Sequence, residues 1–422
     1  MNKKIKVLTL SDHPLSPSGV GTQTKYIIEA LLKTGKFQFV SLGGAIKHES
    51  YKPGKVEGYE DDWVIFPVDG YGNPDVVRSI IRTERPDILW FMTDPRFWGW
   101  LWQMEDEIRP MMPMVYYHVW DNYPYPQYNF PFYKSNDLVV AISKVTYNIL
   151  ENVAPDVERI YLPHAVNTDV FKRRSDMEIS KFTEESFAKM KNFNPGRKMF
   201  FWNNRNARRK QSGTLIFWFK EFLDLVGHEN AGLLMHTDPK DKNGQDLRRI
   251  INDLKVNNGQ VLLSEQKLPI EQLALIYNSA IATINISDAE GFGLSTLESL
   301  SCEVPIIVNM TGGLQEQVTD GKEWFGVGIE PAAKAVIGGQ DIPYIYEDRL
   351  NKNDFIQACL KIYSMSDEER GEMGKRGRAH VMKNYNFDQY GERWIEIMTN
   401  IHEKHGSWEN RKNHVNWTME TL

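Results

Sequence analysis

Hydrophobic and polar positions along this chain follow two rhythms. Apolar runs of roughly four to eight residues, rich in β-branched and aromatic types, alternate with stretches whose apolar positions recur every three or four residues. Ile5–Leu10, Phe37–Leu42, Trp63–Pro67, Ile88–Met92, Met114–His118 and Leu138–Ile142 read as buried strands. Tyr26–Lys33, Asp75–Thr83 and Lys144–Asn152 read as helices; Thr22 or Thr24 is the expected cap of the first, and Gly35 its stop. After a charged connector the rhythm resumes. Strands are expected at Lys198–Trp202, Gly232–His236, Val261–Leu263, Ile281–Ser287 and Val304–Val308. Helices are expected at Thr214–Val226, Ile270–Asn278, Leu294–Ser301, Asp354–Met365, Asp367–Asn384 and Asp388–Glu403. Such alternation builds parallel sheets covered by helices. The expected fold is α/β, with two doubly wound Rossmann-like domains facing a central cleft. The first covers 1–175, a connector 176–197, the second 198–385, and a C-terminal helix and tail, able to cross back, 386–422.

One stretch concentrates chemistry. The strand ending at Ser287 feeds Asp288-Ala-Glu-Gly-Phe-Gly293, and Leu294, Leu297 and Leu300 then keep helical spacing. Gly291 and Gly293 let backbone approach a ligand closely. A glycine turn feeding a helix start cradles an anion, because free N–H groups and the helix dipole point at it. Glu290 and Glu298 bracket the turn, roughly 7–12 Å apart at the helical rise. That spacing suits one ligand touched at both ends, with phosphates between. A second unit, Asn203–Gln211, follows a strand and carries Arg205, Arg208, Arg209 and Lys210. On the same sheet edge as Gly291, a cation pair from it would hold a diphosphate and stabilise it as a leaving group. The plain alternative is a solvated charged loop.

Other signals stay open between two readings. Ser18-Gly-Val-Gly21 is either a ligand loop or a tight turn. His118, at the end of an apolar strand, is either a site histidine or a hydrogen-bonded structural one. The aromatics from Trp90 to Tyr133 are mostly expected in the core, whereas Trp120–Tyr128, rich in Tyr, Pro and Asn, is expected to be exposed near the site. Asp12, Asp121 and Asp288 read as structural carboxylates, and no metal-ligating motif stands out. The tail 404–422, with Trp408 and Trp417, either packs loosely or docks on the other domain.

Composition narrows the class. A net charge of −6 gives no footing for nucleic acid, and in 1–170 there are 17 Lys and Arg against 21 Asp and Glu, so DNA is a disfavoured acceptor. Only Cys302 and Cys359 occur, which fits a reducing, cytoplasmic setting rather than a disulfide framework. No apolar run approaches the ~18 residues of a membrane span, and the first residues read as a strand rather than a signal peptide.

Taken together these pieces resemble the retaining GT-B glycosyltransferases of family 4, the group 1 transferases. Glu290-Gly-Phe-Gly-Leu-Ser-Thr-Leu-Glu298 matches the family's E-x7-E motif, with Pro305 and Thr311-Gly-Gly313 following as expected. Arg205 and Lys210 match its Arg-x4-Lys pair. Ser18-Gly-Val-Gly21 is similar to its N-terminal glycine loop, with Ser18 in place of one glycine. Pro163–Phe171 resembles the inter-domain P-N-G-V-D-x-x-x-F stretch, departing at His164, Ala165 and Asn167. His118 falls where the family has a histidine near the donor sugar. The resemblance implies transfer of a sugar from a nucleoside-diphosphate sugar, a UDP-sugar first among donors, to a hydroxyl of a glycan, lipid or small molecule. It implies no metal or other cofactor. Glu290 would contact sugar hydroxyls and Glu298 the ribose. Arg205, Lys210 and the amides around Gly293 and Leu294 would hold the diphosphate, with Gly19 and Gly21 approaching it and Gly291 and Phe292 also binding the donor. Binding of a nucleotide sugar without transfer, and transfer to modified DNA bases, are the alternatives.

Overall fold

The structure, a computed structural model, describes residues 3–187 and 194–414. The chain forms two units. The first comprises Met1–Ala165 with Gly338–Ile345 and everything from Phe387 onward; the second comprises Val166–Ile337 with Tyr346–Asn386. The passage between them falls at Ala165, ten residues before the expected 175, and local bonds explain it. The Gln23 amide grips both backbone groups of Ala165, at 2.9 and 3.2 Å, whereas the Val166 N–H donates to Tyr385 O at 3.1 Å. The expected connector contains a helix, Asp176–Phe182, started by a Ser175/Glu178 capping box; its 188–193 portion lies outside the described residues.

The first unit carries eight strands: β1 (Ile5–Asp12), β2 (Phe37–Gly44), β3 (Gly54–Lys55), β4 (Trp63–Pro67), β5 (Ile88–Thr93), β6 (Met114–His118), β7 (Leu138–Ala141) and β8 (Arg159–Tyr161). Their order is β3-β4-β2-β1-β5-β6-β7-β8, parallel except where β3 joins β4. Helices cover the sheet, so its central strands are apolar on both faces; Leu8, Val40 and Leu89 sit side by side in register and are buried. Trp98, Trp102, Tyr116 and Tyr133 join this core, and Tyr117 is buried against Trp90 and Trp394.

The second unit carries β9 (Lys198–Asn203), β10 (Ala231–His236), β11 (Val261–Ser264), β12 (Ala282–Asn285), β13 (Ile306–Asn309) and β14 (Gly326–Ile329), all parallel, in the order β11-β10-β9-β12-β13-β14. Phe200, Phe219, Phe222 and Leu223 anchor its core. A two-stranded ribbon of β15 (Ala333–Ile337) and β16 (Ile345–Arg349) follows. Lys334 and Val336 of β15 are solvent-facing and β16 is only partly covered, so no apolar rhythm announced the ribbon.

Two elements differ from expectation, and the C-terminal helix crosses back as expected. The first helix runs Gly19–Leu32 and is capped by Ser18, whose Oγ accepts from the Gly21 N–H at 3.0 Å; it starts seven residues before Tyr26. Thr24, expected as a cap, instead bonds back to Val20 O inside the helix. Trp120, expected exposed, is 4% exposed, its indole N–H donating to Asn122 O; Tyr125 and Gln127 are the open residues of that loop. The helix Phe387–His405 returns to the first unit, setting Phe387 on Tyr26 and Trp394 edge-on to Trp90. Beyond it Ser407 donates to Asp87 at 2.6 Å, Trp408 to Pro86 O at 2.9 Å and Arg411 to Asp137 at 2.9 Å, so of the two expectations for the tail the described part follows docking on the N-terminal domain; Trp417 lies outside the described residues. No described helix is long and apolar enough to cross a membrane.

Candidate active site

In an open parallel sheet, ligand chemistry collects at the carboxyl ends of the strands. In the second unit, β12 ends in Asn285, and its Oδ1 accepts from the Ser287 N–H at 3.2 Å, turning the chain sharply. The turn ends at Gly293, φ +92° and left-handed, a conformation glycine adopts without strain. A Cβ there would come 2.6 Å from Leu314 Cδ2. The helix Leu294–Ser301 begins at the next residue with no side chain capping it, so its first amides remain available. Gly313, after β13, packs directly on this turn: its N–H donates to Glu290 O at 3.1 Å.

The 205–210 loop meets this turn. Lys210 ion-pairs with Glu290, and both side chains are about nine-tenths buried. Arg209 stands 3.9 Å from the same carboxylate and donates to Ala289 O, while the Asp288 N–H donates to Arg209 O at 2.8 Å. Burial alone would raise the Glu290 carboxyl; the Lys210 ammonium outweighs it, with Arg209 and Asn285 helping, and holds it at about 2. Glu290 is therefore an ionised, acceptor-only group at neutral pH. Glu298 is the opposite case. Burial pushes it up to about 7 against the Tyr277 hydroxyl, which donates to it at 2.7 Å and is itself bonded by Asn203 at 2.9 Å. Asp288 is likewise raised, to about 6, by burial, with Gln211 and Arg349 opposing. Arg349 approaches Asp288 to 3.3 Å, and Glu347 takes Arg208 at 3.1 Å.

Arg205 does not join this cluster. Its guanidinium pairs with Asp241 at 2.6 Å and is 66% exposed, because a long side chain at the loop's outer end finds a carboxylate nearer than the turn. Phe292 turns its ring into packing against Tyr385 and is buried, which leaves the backbone of Gly291, Phe292 and Gly293 as what the turn offers a ligand. Arg209, Tyr277 and Gln317 were not singled out by sequence. Arg209 stood in the basic loop, undistinguished from its neighbours; the other two sit inside helices, where only a buried polar residue marks them.

The first unit holds the remaining expected residues. Gly19 and Gly21 lie in the first turn of a helix, not in an open loop. A Cβ on Gly21 would meet Ser16 Oγ at 2.5 Å and His13 O at 2.6 Å, so the chain's own loop requires that glycine. Asp12, at the end of β1, accepts from Ser18 Oγ at 2.6 Å and Tyr71 OH at 2.9 Å. Ser18 thus replaces a glycine because it serves as a cap. His118 is fully enclosed: Nε2 meets Tyr133 OH at 2.8 Å, Nδ1 has no partner among the described residues, and burial lowers the ring to about 3, so it is neutral. Beside it in register, Thr93 stands at φ +127°, strained for a β-branched residue. Among the described residues no group of three or more His, Cys, Asp or Glu is placed to hold a metal.

Two doubly wound parallel units of this kind define the GT-B class of glycosyltransferase folds. Sucrose-phosphate synthase from Thermosynechococcus elongatus superposes with a TM-score of 0.74 at 16% identity, over 95% of this chain and 100% of that one. Anabaena HepE, in complex with UDP and glucose, gives 0.68 at 15% identity, over 94% and 100%. Residues 189–378 match the family described as "Glycosyl transferases group 1". A curated relative from Corynebacterium glutamicum, a GDP-mannose-dependent monoacylated alpha-(1-6)-phosphatidylinositol monomannoside mannosyltransferase, is 33% identical over 112 residues, 26% of this chain and 23% of that protein. The match therefore spans about a quarter of either chain.

Proposed function

We propose that this chain transfers a sugar from a nucleoside-diphosphate sugar to a hydroxyl acceptor, with retention of configuration at the anomeric carbon and without a metal. The observation that carries the reading is the Lys210–Glu290 pair set beside the uncapped start of Leu294–Ser301. It brings a buried cation, an ionised acceptor and free amides to one place, the complement of a sugar diphosphate. Glu290, held ionised, accepts from sugar hydroxyls. Lys210, with Arg205 once released from Asp241, neutralises the departing diphosphate in the way a metal would. Glu298 accepts from the ribose diol, and the amides of Gly293 and Leu294 hold phosphate oxygens. Retention and proton removal by the donor's own phosphate come from the family resemblance; Asp12 is engaged with Ser18 and Tyr71 and is no free base.

The acceptor is assigned to the first unit, as a glycan, lipid or small molecule. The donor base is open: HepE was captured with UDP, whereas the Corynebacterium relative is named for GDP-mannose. A panel of UDP-, GDP- and ADP-sugars, followed by product analysis with donor alone, tests the function. Slow release of free sugar from one donor is expected; binding with no release from any donor returns the reading to a carrier. Arg205→Ala, at an exposed side chain, should leave the fold intact and lower turnover roughly 10²–10³-fold. Near-normal turnover removes Arg205 from the mechanism.

A further inference from the structure

Between the glycine turn and the helix Leu314–Val318 lies a side chain with no sequence motif behind it. Gln317 is fully buried, 0% exposed, and so is Thr296. Gln317 Nε2 donates to Phe292 O at 2.8 Å and to Gly293 O at 3.2 Å. Carbonyls only accept, so this contact fixes the amide's orientation. Its Oε1 then faces the Thr296 hydroxyl at 2.7 Å, whose single proton is shared with Gly293 O at 2.8 Å. The Leu297 N–H reaches Gly293 O only at 3.3 Å, so the side chains hold that carbonyl more closely than the helix does.

A trans peptide sets its C=O and the following N–H in opposite directions. Pinning the Phe292 carbonyl toward Gln317 therefore aims the Gly293 N–H the other way, and pinning the Gly293 carbonyl does the same for Leu294. Those are the two amides assigned to the diphosphate. We infer that Gln317, with Thr296, is a positioning residue for the sugar-nucleotide diphosphate: it touches no substrate, and it sets the direction of two phosphate-binding amides. The inference rests on the proposed transferase reading and adds to it a specificity for the diphosphate over the nucleoside. Glycine at 293, needed for the left-handed turn, also leaves the adjoining peptides free to rotate. That freedom is why an external clamp is required at this position.

The experiment compares affinities rather than activity. Titration calorimetry of the full chain with UDP, GDP and ADP, and with uridine, guanosine and adenosine, gives the ratio of diphosphate to nucleoside affinity for the preferred base. Gln317→Met keeps the length and removes both donors and the acceptor. It should lower diphosphate affinity about tenfold, the scale of a hydrogen bond to a charged group, while nucleoside affinity stays unchanged. General destabilisation would lower both together. Should Gln317→Met fail to fold, Thr296→Val removes only the shared hydroxyl and should lower the same ratio about threefold, with Thr296→Ser restoring it. An unchanged ratio in the folded variant overturns the inference while leaving the transferase reading intact. A parent chain that binds none of the three diphosphates overturns both.

Discussion

Glu298 offers a measurement in which stability and function pull apart. Glu298 is half-buried, its carboxyl accepts from Tyr277 at 2.7 Å, and burial raises it to about 7 against that hydroxyl. Below about pH 4.5 the group is protonated both folded and unfolded, and it contributes nothing. Between there and pH 7 the unfolded chain releases a proton that the folded chain keeps, so folding loses stability as pH rises. Above pH 7 the full cost of the buried charge remains. Moving the midpoint of a carboxyl from about 4.5 to about 7 corresponds to about 3 kcal/mol, and water reaching the half-buried oxygens makes that a ceiling.

Glu298→Gln removes the charge and keeps an acceptor for Tyr277. Urea titrations of parent and variant at pH 4.5, 6 and 8, followed on the tryptophans of the second unit, read the difference directly. At pH 4.5 the folded carboxyl is neutral and the unfolded one only about half ionised, so the gap reports mainly shape and hydrogen bonding. By pH 8 the gap should have moved in favour of the variant by about 2–3 kcal/mol. The same substitution should weaken nucleoside binding, because a carboxamide accepts more weakly from the ribose diol than a carboxylate does. A gap that stays flat between pH 4.5 and 8 would refute the buried-charge account. A variant that gains stability and loses no affinity would remove Glu298 from the ribose.

Lys210→Met leaves Glu290 buried with Arg209 at 3.9 Å as its nearest remaining cation, and should cost about 3–5 kcal/mol in denaturant unfolding. Adding Glu290→Gln should recover most of that loss without recovering turnover; a double variant no more stable than the single one would mean the pair is not what holds the turn. Asp137 is kept below the ordinary carboxylate range despite burial, chiefly by Arg109, with the Met114 N–H and Arg411. Arg411→Ala should therefore cost about 1.5–3 kcal/mol at neutral pH, and the gap from the parent should close in acid as Asp137 protonates in both; thermal melts at pH 7 and pH 3 would show it, and an equal gap at both would rule the ion pair out.

The sheets were legible because their strands are buried on both faces. A strand such as Ile88–Thr93, buried at every position, has to be an unbroken apolar run, and the helices between such runs have to be amphipathic. Elements without a buried apolar face left no such trace: β15 and the two-residue β3 expose most of their side chains, and the one buried position of β16 is Glu347. The first helix was begun too late because Gly19 and Gly21 argue for a loop on propensity, while the deciding contact, Ser18 Oγ on the Gly21 N–H, is worth about 1 kcal/mol and looks like any serine before glycine. Tertiary anchoring decided the unit boundary, since Ala165 and Val166 differ only in which distant residue bonds their backbone.

The site divides along the same line. Glu290, Gly293, Leu294 and Glu298 lie within nine residues, so helical spacing alone brings them to one place, and their types state their chemistry. Lys210 reaches Glu290 across 80 positions, which no local pattern encodes; what the sequence showed was a cation after a strand, and parallel topology then carried it to the same edge. Arg205 has the same credentials and points at Asp241, because an exposed arginine takes whichever carboxylate is close. Gln317 and Tyr277 carry a different signal. Each stands at a core-facing helical position where an apolar side chain would fit, and a buried polar group is kept only with its partners in place. A buried polar residue on the core-facing side of a helix is thus itself a pointer, here to the carbonyls of Phe292 and Gly293 for Gln317 and to the carboxylate of Glu298 for Tyr277.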